Sequence, residues 1–422
     1  MKKHRVFWLL ALLIAALALV VAGCGGDDDD DGEATPTATE EGGAEGKTVK
    51  IVSDLPLQGS DRVQTEQMVR AIEYVLAQTD NKAGPHTVEF ESFDDATAAA
   101  GKWDESKCAE NARTFADDDS IVGVIGTYNS GCAAIEIPIL NEAGLGMVSP
   151  ANTYVGLTKG GPGTEAGEPD KYYPTGERNY VRVVASDDSQ GQIGAQYMKD
   201  TLGVTKVFIL DDKELYGKGV ADAFEAAANE IGLEVVGHEG YDAAASNYRA
   251  LMSKIKSLGA DGIYIGAVST NNGGRLVADK VAVVGDNDAV KMLGSDGMVL
   301  SSLFEEAGPD NVEGMYGTAP TTPPEELTGS SKEFADAFAA EEGKGLEVYT
   351  IYAAAAAQVL VDAIARSDGT RADVIAKLYE TDLDTATGPM SFGETGDPVS
   401  PVQTIYLAKG GEWTFVEQKA AG

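Results

Sequence analysis

The chain is poor in the residues on which most metal and redox chemistry depends. Its 422 residues include only three histidines and three cysteines, which form no His/Cys cluster. A zinc site needs several such ligands at short spacing, so we expect no metal and no cofactor. A Walker A phosphate loop is absent, and the run at Gly294 lacks the spacing of a nucleophile elbow. We therefore expect no enzyme activity, although a carboxylate pair among the many acidic residues stays open as an alternative.

Basic residues are scarce as well. Lys and Arg together number 32 against 68 Asp and Glu, which gives a formal net charge of −36. Such an acidic surface argues against nucleic acid and against an anionic membrane face as partners. Solubility at an extracellular surface accounts for most of this charge. The length suits two lobes of ordinary size, and a hydrophobic content of 43% is enough for packed cores.

Only one apolar run is long, Phe7–Val21, and its fifteen residues are fewer than a typical membrane span needs. Three basic residues precede it, and Val-Ala-Gly follows immediately before Cys24. This order predicts a lipoprotein signal peptide, residues 1–23, with Cys24 lipidated as the new N-terminus. The alternative is an ordinary signal peptide with a chance cysteine. Residues 24–46 are acidic, rich in glycine and without apolar periodicity, so we predict a disordered tether. The protein is then extracytoplasmic and anchored to the membrane by lipid.

Strand and helix patterns alternate from Lys47 onward. Short apolar strands followed by helices of 10–14 residues form one series up to about Ala185 and a second series after it. This alternation predicts an α/β fold with parallel sheets and right-handed crossovers. The tail after about Met315 is mixed and is predicted to return to the first lobe before crossing to the second. The expected N-terminal lobe comprises 47–185 and 315–390, and the C-terminal lobe comprises 186–314 and 391–422.

The stretch Ile121–Thr153 has the pattern strand, polar turn, helix, strand, polar turn. Consecutive parallel strands bring both turns to the carboxyl edge of a sheet, where ligands bind in open α/β folds. Ser130 is a predicted N-cap, and backbone N–H groups beside it could hold an anion. Two ordinary βα turns are the alternative interpretation.

Further candidate ligand-binding residues follow strands in both series. They are Ser130, Ala151 and Thr153 in the first series, and Tyr216, Ala267 and Asp296 in the second. Taken singly, each is more often a capping or turn residue. Their repetition at the same edge of both series favours a binding site.

Besides Cys24, the mature chain has two cysteines, and they could form a disulfide. Cys108 lies in a predicted helix, and Cys132 lies in the turn after the next strand. In an exported protein we expect an intramolecular disulfide, which closes a loop of about 25 residues and contributes roughly 3 kcal/mol. Two buried free thiols are the alternative.

Several motifs resemble those of the branched-chain amino-acid-binding proteins, the type 1 periplasmic substrate-binding proteins of ABC importers. The resemblance covers about Lys47 to Glu417. It rests on the lipobox and on Ser53–Ser60, Ile121–Thr153, Tyr216-Gly217, Ser295–Gly297 and Thr387–Phe392. It implies two Rossmann-like lobes, joined by a three-crossover hinge, that close on a ligand between them. It also implies an amino-acid ligand, aliphatic in the first instance, and ABC permease subunits as partners.

The resemblance further implies roles for single residues. Ser130 and Thr153 match hydroxyls that hold the ligand carboxylate, and the Ala151 carbonyl matches an acceptor of the ligand ammonium. Tyr216 matches a tyrosine that covers the ligand, and Asp296 matches the acidic countercharge, which many relatives carry as Glu. Hydroxyl and N–H groups suit an anion, and a carboxylate suits a cation.

Two departures concern the ligand side chain. Leucine-binding relatives carry aromatics where this chain has Gly266-Ala267-Val268, and the loop Gln58–Arg62 has no aromatic contact. The side-chain class therefore stays open, and a urea, amide or aromatic acid is an alternative ligand. A sensory receptor of the same fold that feeds a signalling partner is the second functional hypothesis, and an enzyme is the third.

Overall fold

The computed structural model describes residues 46–421. The predicted signal peptide, Cys24 and all but the last residue of the predicted tether lie outside the described residues. The first lobe begins with eight strands and three helices. The strands are β1 Thr48–Leu55, β2 Lys82–Ala83, β3 His86–Asp94, β4 Ala96–Thr97, β5 Lys102–Trp103, β6 Ile121–Gly126, β7 Gly146–Ser149 and β8 Tyr180–Arg182. The helices are α1 Arg62–Gln78, α2 Glu105–Asp117 and α3 Ser130–Glu142.

Six of these strands form the first sheet, in the order β2-β3-β1-β6-β7-β8, and β4 pairs with β5 in a separate hairpin. All neighbours in the sheet are parallel except β2 and β3. Parallel strands are buried on both faces, which explains why β6 and β7 are apolar without alternation. The predicted parallel α/β architecture is confirmed for this lobe.

The second lobe repeats the alternation and then gains antiparallel strands. Its helices are α4 Asp187–Gln196, α5 Leu215–Ile231, α6 Arg249–Ser257, α7 Gly273–Val283, α8 Ser302–Ala307 and α9 Pro309–Val312. Its first strands are β9 Lys206–Asp211, β10 Glu234–Gly240, β11 Gly262–Gly266, β12 Lys291–Gly294 and β13 Tyr316–Ala319. A π-helical turn at Tyr197–Thr201 continues α4.

The remaining elements are divided between the lobes. They are α10 Gly329–Glu342, α11 Thr350–Arg366, α12 Arg371–Tyr379, β14 Asp382–Thr385, β15 Gly388–Ser391, β16 Val402–Lys409 and β17 Glu412–Ala420. The second sheet has the order β10-β9-β11-β12-β13-β16-β17, with β16 and β17 antiparallel to their neighbours. Helices α10, α11 and α12 pack on the first lobe, and β14 pairs with β15 as a separate hairpin.

The predicted lobe boundaries at 315 and 390 need correction. Strand β13 hydrogen-bonds with β12 and β16, so it belongs to the second sheet although the sequence placed it in the first lobe. The chain returns to the first lobe only after Ala319. Asp397 still pairs with Arg182 of the first lobe at 2.7 Å, so the last crossing follows Asp397. The chain also crosses from the first lobe to the second after Arg182. Three connections, after Arg182, Ala319 and Asp397, therefore join the lobes, as expected.

Each sheet separates two apolar cores. In β1, Ile51 packs with α1 and α11, whereas the next residue, Val52, packs with α2 and α3. In the second sheet, Phe208 faces α6 and α7, whereas Val207 faces α4 and α5. The alternation of strand side chains explains this division. Gly123 lets α11 approach β6 closely, because a Cβ atom there would lie 2.5 Å from the side chain of Leu360.

The expected disulfide joins Cys108 of α2 to Cys132 in the first turn of α3, with a Cα–Cα distance of 5.6 Å. Both cysteines are fully buried. The bridge therefore fixes α3 to its neighbour α2. None of the helices within residues 46–421 has the length and apolar character needed to cross a bilayer.

Candidate functional site

A small cavity lies between the carboxyl edges of the two sheets. Its walls come from both lobes and consist of Tyr128, Asn129, Ser130, Gly131, Ala151, Thr153, Glu214, Tyr216, Val268, Asp296, Gly297 and Tyr349. Its volume is about 20 Å³, which is room for about one or two water molecules. The two lobes therefore leave little free space between these residues.

The first lobe lines the cavity with hydroxyls and backbone from the turns after β6 and β7. Ser130, Ala151 and Thr153 all reach it, and the two hydroxyl residues are almost fully buried. The predicted N-cap role of Ser130 is corrected, because Asn129 occupies the cap position and Ser130 is the first residue of α3. Ser130 Oγ accepts a hydrogen bond from Tyr154 N at 3.4 Å, which links the two turns.

Arg182 holds the second turn in place. Its fully buried guanidinium donates to the carbonyls of Asn152 and Tyr154, at 3.1 and 2.8 Å, on either side of Thr153. Burial opposes its charge, but the nearby Asp397 carboxylate outweighs this and keeps the pKa of Arg182 raised. The backbone around Thr153 is thus fixed by a buried ion pair rather than by a regular element.

The second lobe contributes a buried carboxylate, Asp296, which follows β12. Its Oδ1 accepts a hydrogen bond from the Tyr216 hydroxyl at 2.5 Å, and its Oδ2 accepts one from the Tyr349 hydroxyl at 2.6 Å. Burial raises the pKa of Asp296, and the two tyrosine hydrogen bonds oppose this rise. Because Tyr349 precedes α11 in the first lobe, its bond to Asp296 crosses the cleft.

Gly217 allows Tyr216 to sit at the start of α5. A Cβ atom at position 217 would lie 2.2 Å from Asp212 Oδ1 and 2.5 Å from the carbonyl oxygen of Gly266. Only glycine permits this approach, so the helix start packs against the end of β11. The hydroxyl of Tyr216 also lies 2.8 Å from the Ser295 hydroxyl and accepts from Gly297 N at 3.1 Å.

A second buried carboxylate lies beside Asp296, and the sequence did not single it out. Asp187, the first residue of α4, is fully buried, and neither of its oxygens makes a well-formed hydrogen bond, although the Thr153 hydroxyl is close enough to oppose the rise of its pKa. Burial and the neighbouring Asp296 raise its pKa well above the usual range. Its backbone N donates to the carbonyl of Thr153 at 2.9 Å, which brings the carboxylate next to the first-lobe hydroxyls.

The structure thus brings five of the six predicted residues to the cavity. Ala267 is buried behind it, hydrogen-bonded to Ser295, and its neighbour Val268 forms the wall instead. Tyr349 and Tyr128 were not predicted. Tyr349 gave no signal, because it follows a glycine-containing loop rather than a strand, whereas Tyr128 and Glu214 lie in turns that the strand-end argument had already selected.

A hairpin of the first lobe closes one end of the cleft. Lys102 of β5 hydrogen-bonds to Glu214 of the second lobe, and its ammonium also donates to Asn271 Oδ1 at 2.6 Å. The adjacent Trp103 donates its indole N–H to Glu214 Oε2 at 3.1 Å. These contacts join the lobes directly in the closed form.

Potential metal ligands occur together in two places within residues 46–421, and both have other partners. Asp95 lies near Cys108 and Cys132, whose sulfurs are bonded to each other. On the second lobe, His238 lies near Asp222 and Glu225, and its Nδ1 hydrogen-bonds with Glu225 Oε2 at 2.8 Å. Burial lowers the pKa of His238, but hydrogen bonds to Asp211 and Glu225 more than offset this, so its pKa is raised and the imidazole is an ion-pair partner.

Two lobes with a buried, polar cavity between their carboxyl edges define a class of ligand-binding protein, the type 1 periplasmic binding proteins. The chain matches the sequence model of the family described as periplasmic binding protein over residues 48–412. It is 30% identical over 387 residues to the Leu/Ile/Val-binding protein homolog 2 of Brucella abortus, covering 89% of this chain and 95% of that relative. The chain therefore belongs to the Leu/Ile/Val-binding protein family, which is a family of binding proteins and not of enzymes.

Solved structures support the same fold. A leucine-binding protein from Thermotoga maritima aligns with a TM-score of 0.75 at 22% identity, covering 88% of this chain and 98% of the other. A solute-binding protein of an ABC transporter from Rhodopseudomonas palustris, in complex with benzoate, aligns with a TM-score of 0.73 at 18% identity, covering 89% and 97%. At such identities these likenesses establish the fold alone.

Proposed function

We propose that the protein captures an amino acid between its two lobes and delivers it to an ABC importer. The observation that carries this proposal is the division of charge across the cavity. Ser130 and Thr153 line the cavity with hydroxyls from the first lobe, whereas Asp296 lines it with a carboxylate from the second lobe, and the Asp187 carboxylate is buried close to Asp296. A zwitterion satisfies both sets, with its carboxylate on the hydroxyls and its ammonium on the acidic pair.

The same arrangement explains why the binding of the ligand and the closure of the two lobes occur together. The ligand ammonium replaces the Tyr349 hydroxyl as a partner of Asp296 or joins it, and also supplies donors to the unpartnered Asp187. The Ala151 carbonyl lies at the cavity wall and adds an acceptor for the same group. Because these groups come from both lobes, the closed form gains contacts with the ligand that the open form lacks.

The relatives suggest the class of side chain with which to begin. They are named for leucine, isoleucine and valine, and this chain shares their family, so an aliphatic amino acid is the first candidate. An ABC permease is the corresponding partner.

We also propose an extracytoplasmic location with a lipid anchor at Cys24. The proposal rests on the order of basic residues, apolar run and small residues before that cysteine. Residues 24–46 then connect this anchor to the two lobes.

The test is a thermal-shift screen of the folded protein against all proteinogenic amino acids, with mass spectrometry of any co-purified ligand. We expect at least one amino acid to raise the melting temperature by several degrees at millimolar concentration, because a ligand that binds only the native state stabilises it. Amines and carboxylic acids that lack the other group serve as controls and should give smaller shifts. A screen in which no amino acid shifts the melting temperature contradicts the proposal.

A further inference from the structure

A third carboxylate in the cleft has no partner, and the amino-acid head group does not reach it by the contacts described above. Asp61 precedes α1 and is fully buried, yet neither of its carboxylate oxygens has a hydrogen-bond partner. Buried polar groups in native proteins are nearly always paired. The chain therefore leaves a strong acceptor free at a place that water does not reach when the lobes are closed.

The surroundings of Asp61 place its carboxylate on the cleft side of the first lobe. Glu214 and Glu306, both of the second lobe, act on it electrostatically across the gap. Asp61 in turn acts on Tyr128, which lines the cavity and accepts a hydrogen bond from Gln64 Nε2 at 2.8 Å. Asp61 itself does not line the cavity, but it lies close to Tyr128 and Glu214, which do.

Charge at this end of the cleft is unbalanced. Lys102 is the one cation that acts on Asp61 within the described residues, and its ammonium already binds Glu214 and Asn271. The carboxylates of Asp61, Glu214 and Glu306 therefore have one lysine, Lys102, among them, and Lys102 is paired with Glu214. Burial and the two glutamates raise the pKa of Asp61 to about 7, which is the behaviour of a carboxyl that lacks a cation.

An aliphatic side chain does not resolve this imbalance. It supplies no donor to Asp61 and would leave the carboxylate buried against apolar atoms, which is costly. The loop Gln58–Arg62, to which Asp61 belongs, contains no aromatic residue. A ligand side chain that extends from the cavity past Tyr128 and Glu214 would therefore meet the Asp61 carboxylate.

We infer that the preferred ligand is an amino acid with a second, distal cationic group, of the lysine, ornithine or arginine class, and that Asp61 pairs with that group. The inference rests on the proposed function, because it takes the amino-acid head group as bound by Asp296 and the first-lobe hydroxyls. It replaces the aliphatic side chain suggested by the relatives. Glu306 and Glu214 add negative electrostatic potential around Asp61. Lys102 keeps its ion pair with Glu214.

The test compares L-lysine with L-norleucine, which has the same carbon chain without the distal amine, by isothermal titration of the full two-lobe protein. We expect lysine to bind at least about tenfold more tightly than norleucine, since hydrogen bonds to a buried charge are worth about 1.5–3 kcal/mol. Asp61→Asn should reduce lysine affinity about 10–100-fold and change norleucine affinity less than about threefold. Glu306→Gln should lower lysine affinity by a smaller factor.

Asp288→Asn is the matched control, because Asp288 is almost fully exposed on the second lobe, and it should leave both affinities unchanged. Equal or tighter binding of norleucine by the unaltered protein overturns the inference but leaves the proposed function intact. An Asp61→Asn variant that keeps its melting temperature and weakens lysine and norleucine equally also overturns it. If no amino acid of either class binds, the proposed function itself is wrong.

Discussion

At the scale of single residues, the cleft and its surroundings hold carboxyls that are buried without a cation. Burial raises the pKa of Asp61 and of Asp212 to about 7, and that of Asp54 to about 6. Asp212 and Asp54 accept hydrogen bonds from Asn271 and Asn111, at 2.8 and 2.9 Å, whereas Asp61 accepts none. Such groups lower the stability of the folded state whenever they are ionised.

These pKa values predict how stability varies with pH. A carboxyl with a raised pKa binds more protons in the folded than in the unfolded state between about pH 4 and pH 7. The free energy of unfolding of the ligand-free protein should therefore be higher at pH 5 than at pH 7.5, by at least ~2 kcal/mol, which is about the contribution of one carboxyl with a pKa near 7. Urea unfolding at both values measures this difference, and 0.5 M NaCl removes most of the contribution of the exposed net charge.

Asp61→Asn supplies the control for that experiment. The variant lacks one of the titrating groups, so its stability should depend less on pH over the same interval. Stability that is flat or rises between pH 5 and pH 7.5 contradicts the assignment of raised pKa values to these carboxyls.

The position of each cavity-lining residue along the chain decides whether it could be predicted from the sequence. Ser130, Thr153, Tyr216 and Asp296 all come soon after a strand, and the carboxyl edge of a parallel sheet brings such residues together. Tyr349 reaches Asp296 only because α11 returns to the first lobe, a contact between residues 53 positions apart. No local pattern reports such a contact.

At the scale of elements, α2 and α3 hold the first-lobe turns in position. The disulfide from Cys108 to Cys132 joins them, and Trp103 packs over Gly131 at the start of α3, where a Cβ atom would lie 2.5 Å from the indole. The position of Ser130 depends on both contacts, because it lies between β6 and the bridged turn.

Removing the bridge should destabilise the protein without abolishing ligand contacts. The double variant Cys108→Ala/Cys132→Ala opens a loop with a sequence separation of 24 residues, which predicts a loss of ~2–4 kcal/mol in the free energy of unfolding. Urea unfolding of the variant and of the unaltered protein, with and without reductant, measures the loss. Reductant should have no effect on the variant, and equal stability of the two proteins would contradict the account.

Periodicity predicted most elements but could not assign every one to a lobe. The Ala-rich helix α11 was predicted with its observed bounds, Thr350–Arg366, because its buried faces are continuous and apolar. Strand β13 was recognised as a strand but placed in the wrong lobe, because its pairing with β12 and β16 depends on residues far along the chain. The two-residue strands β2, β4 and β5 are too short to produce a period.

At the scale of the whole molecule, closure is the property that connects fold and function. The bond from Tyr349 to Asp296 and the contacts of Lys102 and Trp103 with Glu214 all join the two lobes. Asp296 is the residue at which the lobes and the ammonium of the proposed ligand meet. The two-lobe fold was predictable because the strand–helix series repeats, and the family was predictable from the resemblance of its motifs, whereas these cross-lobe contacts required the coordinates of both lobes.

The most direct test of the proposed capture of an amino acid is isothermal titration of the Asp296→Ala variant with the amino acid that binds the unaltered protein most tightly. The substitution removes a buried charged partner, so affinity should fall by ~2–4 kcal/mol, or roughly 30–1,000-fold. The control Asp288→Asn should bind as the unaltered protein does. An unchanged affinity of Asp296→Ala, with the fold intact by circular dichroism, would contradict the central claim.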